Sequence, residues 1–468
     1  MARTAGAMAV AASPARKDSA SDRTTAGAAA LRNREPKAIK IVFSPALAYD
    51  TMRLARAINP ETGSARRTGA RQATSQGRTF FAICALQVVG DQSRPEGRSP
   101  QDMAEPPKSV LFLSMYPLDV LDRAPRVRSY HLWRELDQLV PTTLVAGRRG
   151  ERLLKLLSLT VTGRLFRFAA VYVETATASA TPADLLALAV LRLLGRPIFI
   201  YIRDAYQLFP AEFPPRTIRR KVSYCGWRFS VGVYKRVAAR LLFPTAALAE
   251  LFDLKDGRWD LLPPAGAPLV AAARHLGTRR VAYVGDLTPA IVDLLRDTLR
   301  RVRQSGAPGA TCTIVSSRRD WESFPSLDSE DWCEHRQASR EQLAAALADA
   351  DTCLVPRPAR GYNALTLPVK LFDYMSLGKA VITTNLPAVA AIVEGENVGI
   401  VSRDDPESLA QAVTHLFDHP DDVRRYQLNA LEAVRTRHSW RARAERLLAI
   451  MTEAGQGAAL ASGGRQPR

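Results

Sequence analysis

From residue 110 onward, apolar and polar positions switch repeatedly between the period of a strand and that of a helix. VLFLS at 110–114 is a short unbroken apolar run, the pattern of a strand buried on both faces. A helical period follows at 129–139, with strands at 142–146 and 170–173. A strongly apolar helix covers 181–194, its start marked by Thr181 and Pro182, and 197–202 returns to strand. A longer helical stretch runs over 219–242, where Val222, Cys225, Phe229, Val233 and Val237 form one stripe. Lys221, Arg228 and Lys235 recur on another face, with Arg236 and Arg240 beside them and Trp227 and Tyr234 interleaved. LLPPAGAP at 261–268 interrupts the pattern. It then resumes with a strand at 280–284, a helix at 291–304, a strand at 311–316 and a helix at 339–350 capped by Ser339. A strand at 353–356 leads through a loop to a helix opening near Pro368 and a strand at 380–384. Helices at 406–418, 421–437 and 440–451 close the chain, with a break at His438 and Ser439.

Strand alternating with helix, twice over, predicts an α/β protein with two parallel sheets covered by helices. The boundaries read as a first domain at 108–262, a linker at 263–278, a second domain at 279–438, a terminal helix at 439–455 and a loose tail at 456–468. Residues 1–107 are rich in Ala, Arg, Ser, Gly and Thr without sustained periodicity, the composition of a disordered basic leader. An apolar patch at 80–89 has no evident partner, and the Ala-rich start after Arg3 only weakly resembles a targeting peptide. Met103 stands just before the first strand, so one expectation is that translation begins there and residues 1–102 are absent from the mature protein. Mass spectrometry of the native N-terminus checks it; peptides from residues 1–100 would refute it.

Composition adds a sign to this outline. The 468 residues, 47% hydrophobic, suffice for two cores, and the formal charge is +19 with a pI near 10.1. Residues 1–108 hold 17 Lys and Arg against 9 Asp and Glu, or +8, which leaves +11 for the rest. Such a balance suits phosphorylated substrates or an anionic membrane surface. Nucleic acid drops out as a partner, because no zinc-finger, RNA-recognition or helix-turn-helix pattern is present. Cys84, Cys225, Cys312, Cys333 and Cys353 are scattered without a C-x-x-C pair, so reduced thiols of a cytoplasmic protein are expected and a structural zinc site is not. Arg192, Arg196 and Pro197 interrupt the longest apolar stretch before it reaches the roughly 20 residues of a membrane span. The basic helix at 219–242 suits a peripheral position on the inner face of the cell membrane; the alternative is a core helix with a solvated charged face.

Chemistry concentrates in LVPRPARGYNALTLPVKLFDYMSLGKAVITTN at 354–385. Pro368 suits a first helical turn, Gly378 a helix exit, and Leu371, Tyr374 and Met375 share one face. Lys370 then places a cation at the positive end of the helix dipole, at a cost of roughly 0.3–1 kcal/mol. A bound anion reverses that sign; the alternative is a solvated surface lysine. In IYIRDAYQLFPAEFP at 200–214, Arg203 and Asp204 end a strand, where open α/β sheets gather their working residues. Asp204 there is a candidate base for a hydroxyl, and the alternative is an ion pair with Arg203 or a helix cap. The first strand-to-helix connection carries Arg123, Arg126 and Arg128 instead of a glycine fingerprint. That argues against a dinucleotide site and leaves an acceptor phosphate or a solvated loop as readings. Val284 and Gly285 allow a ligand close to backbone. His335, beside Cys333 and Glu334, comes nearest to a metal-ligand group and reads as loop, so no metal site is expected.

The run PVKLFDYMSLGKAVITT resembles the donor-site segment of GT-B-fold glycosyltransferases, especially bacterial family-4-like members of glycosyl transferases group 1, with their P-x-K-L-x-E-Y-x-x-x-G-x-P-V pattern. The resemblance extends over roughly residues 108–453. It implies two Rossmann-like domains facing across a cleft, acceptor side first and nucleotide-sugar side second, with the last helix crossing back to the first domain. It further implies that Lys370 and its helix start meet the donor diphosphate. Gly285, Asp286, Arg318, Arg357, Thr366, Leu367, Pro368, Val369 and Asp373 would complete the donor site. Arg123, Arg126, Arg128, Arg203 and Tyr206 would line the acceptor side, with Asp204 and Lys370 as the catalytic pair. Four departures stand out. Asp373 falls where relatives carry a second glutamate, Leu365 stands where they carry the first, and the lysine many place shortly after Gly285 is missing. Ala380 also replaces a common proline, and the K-L-x-x-Y run resembles bacterial exopolysaccharide glucuronosyltransferases as well. The implied activity is metal-independent transfer of a hexosyl group from a nucleotide-diphosphate sugar, a co-substrate and not a cofactor. Its implied acceptor is a lipid-linked or polysaccharide intermediate of cell-envelope glycan. A nucleotide-sugar 2-epimerase and a non-catalytic scaffold share the fold; base, sugar, acceptor and stereochemical outcome stay open.

Overall fold

The computed structural model describes residues 105–463 except 122 and 256, with side chains to residue 455. The expectations for the leader, including the patch at 80–89 and the start at Met103, lie outside the described residues.

The first lobe runs β1 (Val110–Ser114), α1 (Ala124–Leu139), β2 (Thr142–Val145), α2 (Arg149–Val161), β3 (Ala170–Glu174), α3 (Pro182–Leu193), β4 (Ile198–Tyr201), α4 (Ile218–Val237), β5 (Arg240–Phe243), α5 (Ala246–Glu250) and β6 (Trp259–Leu261). Its six strands are all parallel in the order β2-β1-β3-β4-β5-β6. Every residue of β1, β3 and β4 is buried, as expected of central strands covered on both faces. The helices divide accordingly: α2, α3 and α4 lie side by side, while α1 packs against the chain's last helix.

The second lobe runs β7 (Arg280–Val284), α6 (Pro289–Gln304), β8 (Thr311–Val315), α7 (Arg318–Glu322), β9 (Cys333–Arg336), α8 (Leu343–Ala346), β10 (Thr352–Val355), α9 (Val369–Ser376), β11 (Ala380–Thr384), α10 (Pro387–Gly395), β12 (Gly399–Ser402), α11 (Pro406–Asp418) and α12 (Pro420–Thr436). Its parallel sheet has the order β12-β11-β10-β7-β8-β9. Leu295, Leu299, Ile314 and Leu416 form the core on one side of it. Leu371, Tyr374, Met375, Val389 and Val434 form the core on the other.

The chain then returns to the first lobe as α13 (Trp440–Gly463). Trp440, Leu447 and Ile450 are buried with Phe112, Leu132, Leu136 and Tyr172 in one cluster. The two crossings between lobes are tied together. Gly266 of the linker bridges to Ser439, and the Arg443 guanidinium donates to the carbonyls of Pro263 (3.2 Å) and Pro264 (3.3 Å).

The two-sheet architecture is the one the alternation predicts, but several elements differ. The stretch 219–242 is two elements: Ala238 turns extended and 240–243 joins the sheet as β5. Within α4 the core face is Tyr224, Trp227, Val231 and Tyr234, whereas Val222, Cys225 and Phe229 of the expected stripe are exposed. The helix expected at 339–350 shrinks to α8. Ahead of it the Ser339 N–H donates to Gln342 Oε1 (3.0 Å) and its hydroxyl to Glu341 (2.7 Å), which closes a local turn in place of a cap. Cys333 and His335, expected in a loop, belong to edge strand β9. The closing helix continues to Gly463, through residues assigned to the tail.

Candidate functional site

Three of the candidate donor residues, Gly285, Arg357 and Lys370, are neighbours at the start of α9. Pro368 occupies the N-cap position instead of the first turn and offers no side-chain cap, so the helix begins with open N–H groups. Two buried tyrosines fix the loops around it. Tyr374 Oη accepts from the Val284 N–H (2.8 Å) and donates to the Leu354 carbonyl (3.3 Å), joining α9 to the ends of β7 and β10. Tyr283 Oη donates to the Asp286 carbonyl (2.7 Å), which holds the turn after β7.

Lys370 points into that turn. Its Nζ donates to Tyr283 Oη (3.2 Å), lies 4.2 Å from the tyrosine ring centre, and sits where a Cβ on residue 285 would come within 2.5 Å. Gly285 therefore has two reasons to be glycine, since its φ of 129° also lies in the region side chains avoid. Among the described residues no carboxylate approaches Lys370 within the 4.0 Å of an ion pair. Burial first, and then the Arg357 charge, push its pKa well below that of an ordinary lysine, opposed by the more distant Asp286 and Asp373. Arg357 likewise has no ion pair among the described residues, and its Nε is buried without a partner. Two cations thus face one region, uncompensated.

The remaining donor candidates behave differently. Thr366 donates its hydroxyl to the Asn363 carbonyl (2.8 Å) and, with buried Leu367 and half-buried Val369, shapes the approach to α9. Asp286 is exposed at the rim. Asp373 is half-buried against Arg340 (2.7 Å), and desolvation raises its pKa despite that partner. Arg318 stands in solvent, 77% exposed, paired with Glu322 one turn along α7.

On the acceptor side, Asp204 follows β4 and is held by neighbours. Arg203 donates Nε to Asp204 Oδ2 (2.6 Å) and Nη2 to the Thr177 hydroxyl, so the local ion pair weighed from sequence is present. Oδ1 has a single partner among the described residues, Tyr362 Oη at 3.4 Å. Tyr206 packs among Phe213 and Tyr224 at ring distances of 5.7 and 5.9 Å, and burial raises its pKa. Arg128 is 1% exposed, donates Nε to Glu174 (3.0 Å) and Nη1 to the Pro263 carbonyl (3.2 Å), and stacks 3.7 Å over the Tyr201 ring. Because α1 begins five residues earlier than expected, Arg128 turns inward and braces the linker. Arg123 is the helix N-cap and Arg126 reaches the Val120 carbonyl (3.2 Å).

Tyr362, overlooked in the sequence, joins the two halves. It lies in a 3-10 turn (Gly361–Leu365) of the second lobe; its Oη accepts from the Ala205 N–H (3.1 Å) and its ring meets Phe209 and Phe213 edge-on at 5.3 and 5.4 Å. Its own N–H donates to the Glu212 carboxylate (3.1 Å), which fits only because residue 361 is a glycine at φ 57°. The Thr245 hydroxyl donates to the Leu365 carbonyl (2.7 Å). Leu365, where the resemblance leads one to expect glutamate, therefore serves the lobe contact through its backbone. The aromatic cluster of 206–213 was the available signal, but no sequence pattern told which residue it would receive. Among the described residues no three His, Cys, Asp or Glu side chains gather into a metal-binding group.

Residues 278–419 match the family model described as glycosyl transferases group 1. Among solved structures, HepE of Anabaena in complex with UDP is similar over 74% of this chain and 100% of its own, at 13% identity and a TM-score of 0.52. Sucrose-phosphate synthase of Thermosynechococcus elongatus is similar over 75% of this chain and 100% of its own, at 13% identity and a TM-score of 0.54. WaaG, a glycosyltransferase involved in lipopolysaccharide biosynthesis, is similar over 73% of this chain and 99% of its own, at 14% identity and a TM-score of 0.50. No curated protein matches the chain in sequence.

Proposed function

We propose, from the match of residues 278–419 to the glycosyl transferases group 1 model and from the GT-B fold, that this chain transfers a sugar from a nucleoside-diphosphate donor to a hydroxyl acceptor. The observation that carries the proposal is the pair of uncompensated cations, Lys370 and Arg357, at the uncapped start of α9 opposite Gly285. A diphosphate placed there accepts from the helix N–H groups and neutralises both charges, the interaction that stabilises a departing nucleotide. This charge set takes the part a metal ion plays elsewhere. UDP is the first nucleotide to test, since HepE has been solved with UDP and with UDP-glucose.

Asp204 offers Oδ1 to the acceptor hydroxyl, as base if the reaction inverts and as a positioning group if it retains. Arg203 holds the other oxygen and fixes the carboxylate plane. The acceptor is a lipid-linked or glycan intermediate of the cell envelope, and the enzyme works on the inner face of the membrane. Net positive charge supports this, as does the absence, among the described residues, of any helix long and apolar enough to cross a membrane.

Leu365 in the place of glutamate keeps a second reading in view, a scaffold that has lost catalysis. A thermal-shift screen with UDP, GDP and dTDP separates the two. Stabilisation by one nucleotide, followed by consumption of its sugar conjugate when acceptor extract is added, is the expected result. No shift with any of the three overturns the donor site, and a shift without turnover favours the scaffold.

A further inference from the structure

Nearly all the large apolar side chains exposed on the first lobe belong to one face, made by α2, α3 and the first half of α4. Leu154, Leu157 and Val161 protrude from α2, Leu193 from the end of α3, and Ile218 and Val222 from α4; Val161 and Leu193 are 86% and 87% exposed. The second lobe, by contrast, leaves one such residue, Leu428, in solvent among those described. Exposure of this kind on three adjacent helices is far from the scattered surface leucines of an ordinary domain.

The charges between these side chains are distinctive too. Arg149, Arg164, Arg192, Arg219 and Lys221 are exposed, and among the described residues none has a carboxylate within 4.0 Å. Exposed arginine in this protein is not generally so. On α6 the exposed Arg300 and Arg301 pair with Glu330 and Glu407, and on α7 and α12 the exposed Arg318, Arg424 and Arg425 pair with Glu322, Asp421 and Asp422. The same face therefore combines unscreened cations with aliphatic groups that have nothing to pack on.

We propose that this face docks on an anionic lipid bilayer, with the leucines and valines in the acyl boundary and the cations on the headgroups. Charge selects that occupant. A second copy would bring the same positive face, and the chain's own first 108 residues carry +8. A lipid surface supplies both an apolar layer and negative charge, the combination that holds amphipathic helices in the interface. Lys235 and Arg236, which the sequence pattern placed with this function, are not needed: Lys235 donates to the Phe252 carbonyl, and Arg236 to Gly232 (2.9 Å) on its own helix. For catalysis, an implication that rests on the transferase reading, the consequence is reach. The loop that carries Asp204 and Glu212 runs directly into Ile218, so an acceptor anchored in the same bilayer arrives beside the acceptor carboxylate.

The test uses the full chain with sedimentable vesicles, either pure phosphatidylcholine or one-third phosphatidylglycerol. The wild type is expected to bind the anionic vesicles and to leave the neutral ones about tenfold less occupied. Leu154→Ser, Val161→Ser and Leu193→Ser combined should weaken anionic binding by about tenfold or more, with the UDP-induced thermal shift unchanged. Arg219→Glu with Lys221→Glu should remove the preference for anionic lipid. Equal binding by the wild type and the triple-serine variant overturns the proposal. So does a wild type that ignores vesicles but self-associates through these leucines in their absence, which would make the face a contact between copies. Absence of a thermal shift with UDP, GDP and dTDP alike, with vesicle binding intact, refutes the transferase reading alone.

Discussion

At Lys370 a cost and its relief meet in one side chain. The amine is half-buried, faces Arg357 and occupies the positive end of a helix, three unfavourable terms that a bound diphosphate reverses together. Lys370→Ala should weaken UDP binding by about tenfold or more with little loss of thermal stability, measured by calorimetric titration. Unchanged affinity would remove the phosphate site from α9. The sign of the pH dependence follows from the depressed pKa. The free protein loses the proton from Lys370 at lower pH than an ordinary lysine, whereas the diphosphate complex retains it. Affinity should therefore fall as pH rises through the depressed value, and binding in that range should take up a proton. Titrations in two buffers of different ionisation enthalpy read that proton directly, and identical heats would contradict it. Gly285→Ala meets both the Lys370 amine and a φ of 129°, a strain on the order of 1–3 kcal/mol. It should lower the melting temperature and donor affinity together.

The elements were readable where periodicity and punctuation agreed. The helix at 406–418 and the strands at 280–284 and 380–384 carry clean apolar patterns between caps or glycines, and they lie where the pattern put them. The division of 219–242 was not readable, because Val233 to Leu242 is apolar enough for either period and only the sheet decides where helix gives way to strand. Lys370 could be singled out because its position violates a local rule. Arg128 could not be told from Arg126, since nothing local announces that Glu174 and Tyr201 wait inside for one of them. Glu396 was hidden in the same way, a carboxylate at the end of α10 that collects Arg437 (2.8 Å) and His438 (2.9 Å) from the turn between α12 and α13. Burial alone would raise its pKa; the bonds from His438 and Arg437 prevail and hold it down to about 2. A depressed carboxylate contributes its stability above its unfolded pKa and loses it as pH falls through the folded one. Glu396→Gln should thus cost on the order of 2 kcal/mol at pH 7. The gap to wild type should begin to close below about pH 4.5 and continue closing towards 2. Melting curves between pH 7 and 3 check this; a gap that stays constant would mean the carboxylate is not the operative group.

At the scale of the whole molecule, a specific contact joins the lobes: Tyr362 among Phe209 and Phe213, Glu212 on the Tyr362 N–H, and Thr245 on Leu365. These contacts come from loops at the carboxyl ends of strands, and they bring Tyr362 of the second lobe to the Asp204 carboxylate (3.4 Å). Glu212→Ala combined with Tyr362→Ala should leave UDP affinity within about threefold while lowering turnover by about tenfold, because assembly of the two half-sites is impaired and the phosphate cradle is not. Small-angle scattering should show a larger radius of gyration for the variant. An unchanged radius together with unchanged turnover would make the contact incidental.

The return of the last helix also imposes an order on biosynthesis. Trp440, Leu447 and Ile450 complete the interior around Phe112 and Leu132, so the half of the protein made first is finished last. A nascent chain emerging from the ribosome must carry an open apolar seam on its first lobe until residues 440–451 arrive, the reverse of the usual sequence in which an early domain folds before its successor is translated. Truncation ahead of Trp440 should accordingly yield aggregates even though every residue around the nucleotide cradle is still present.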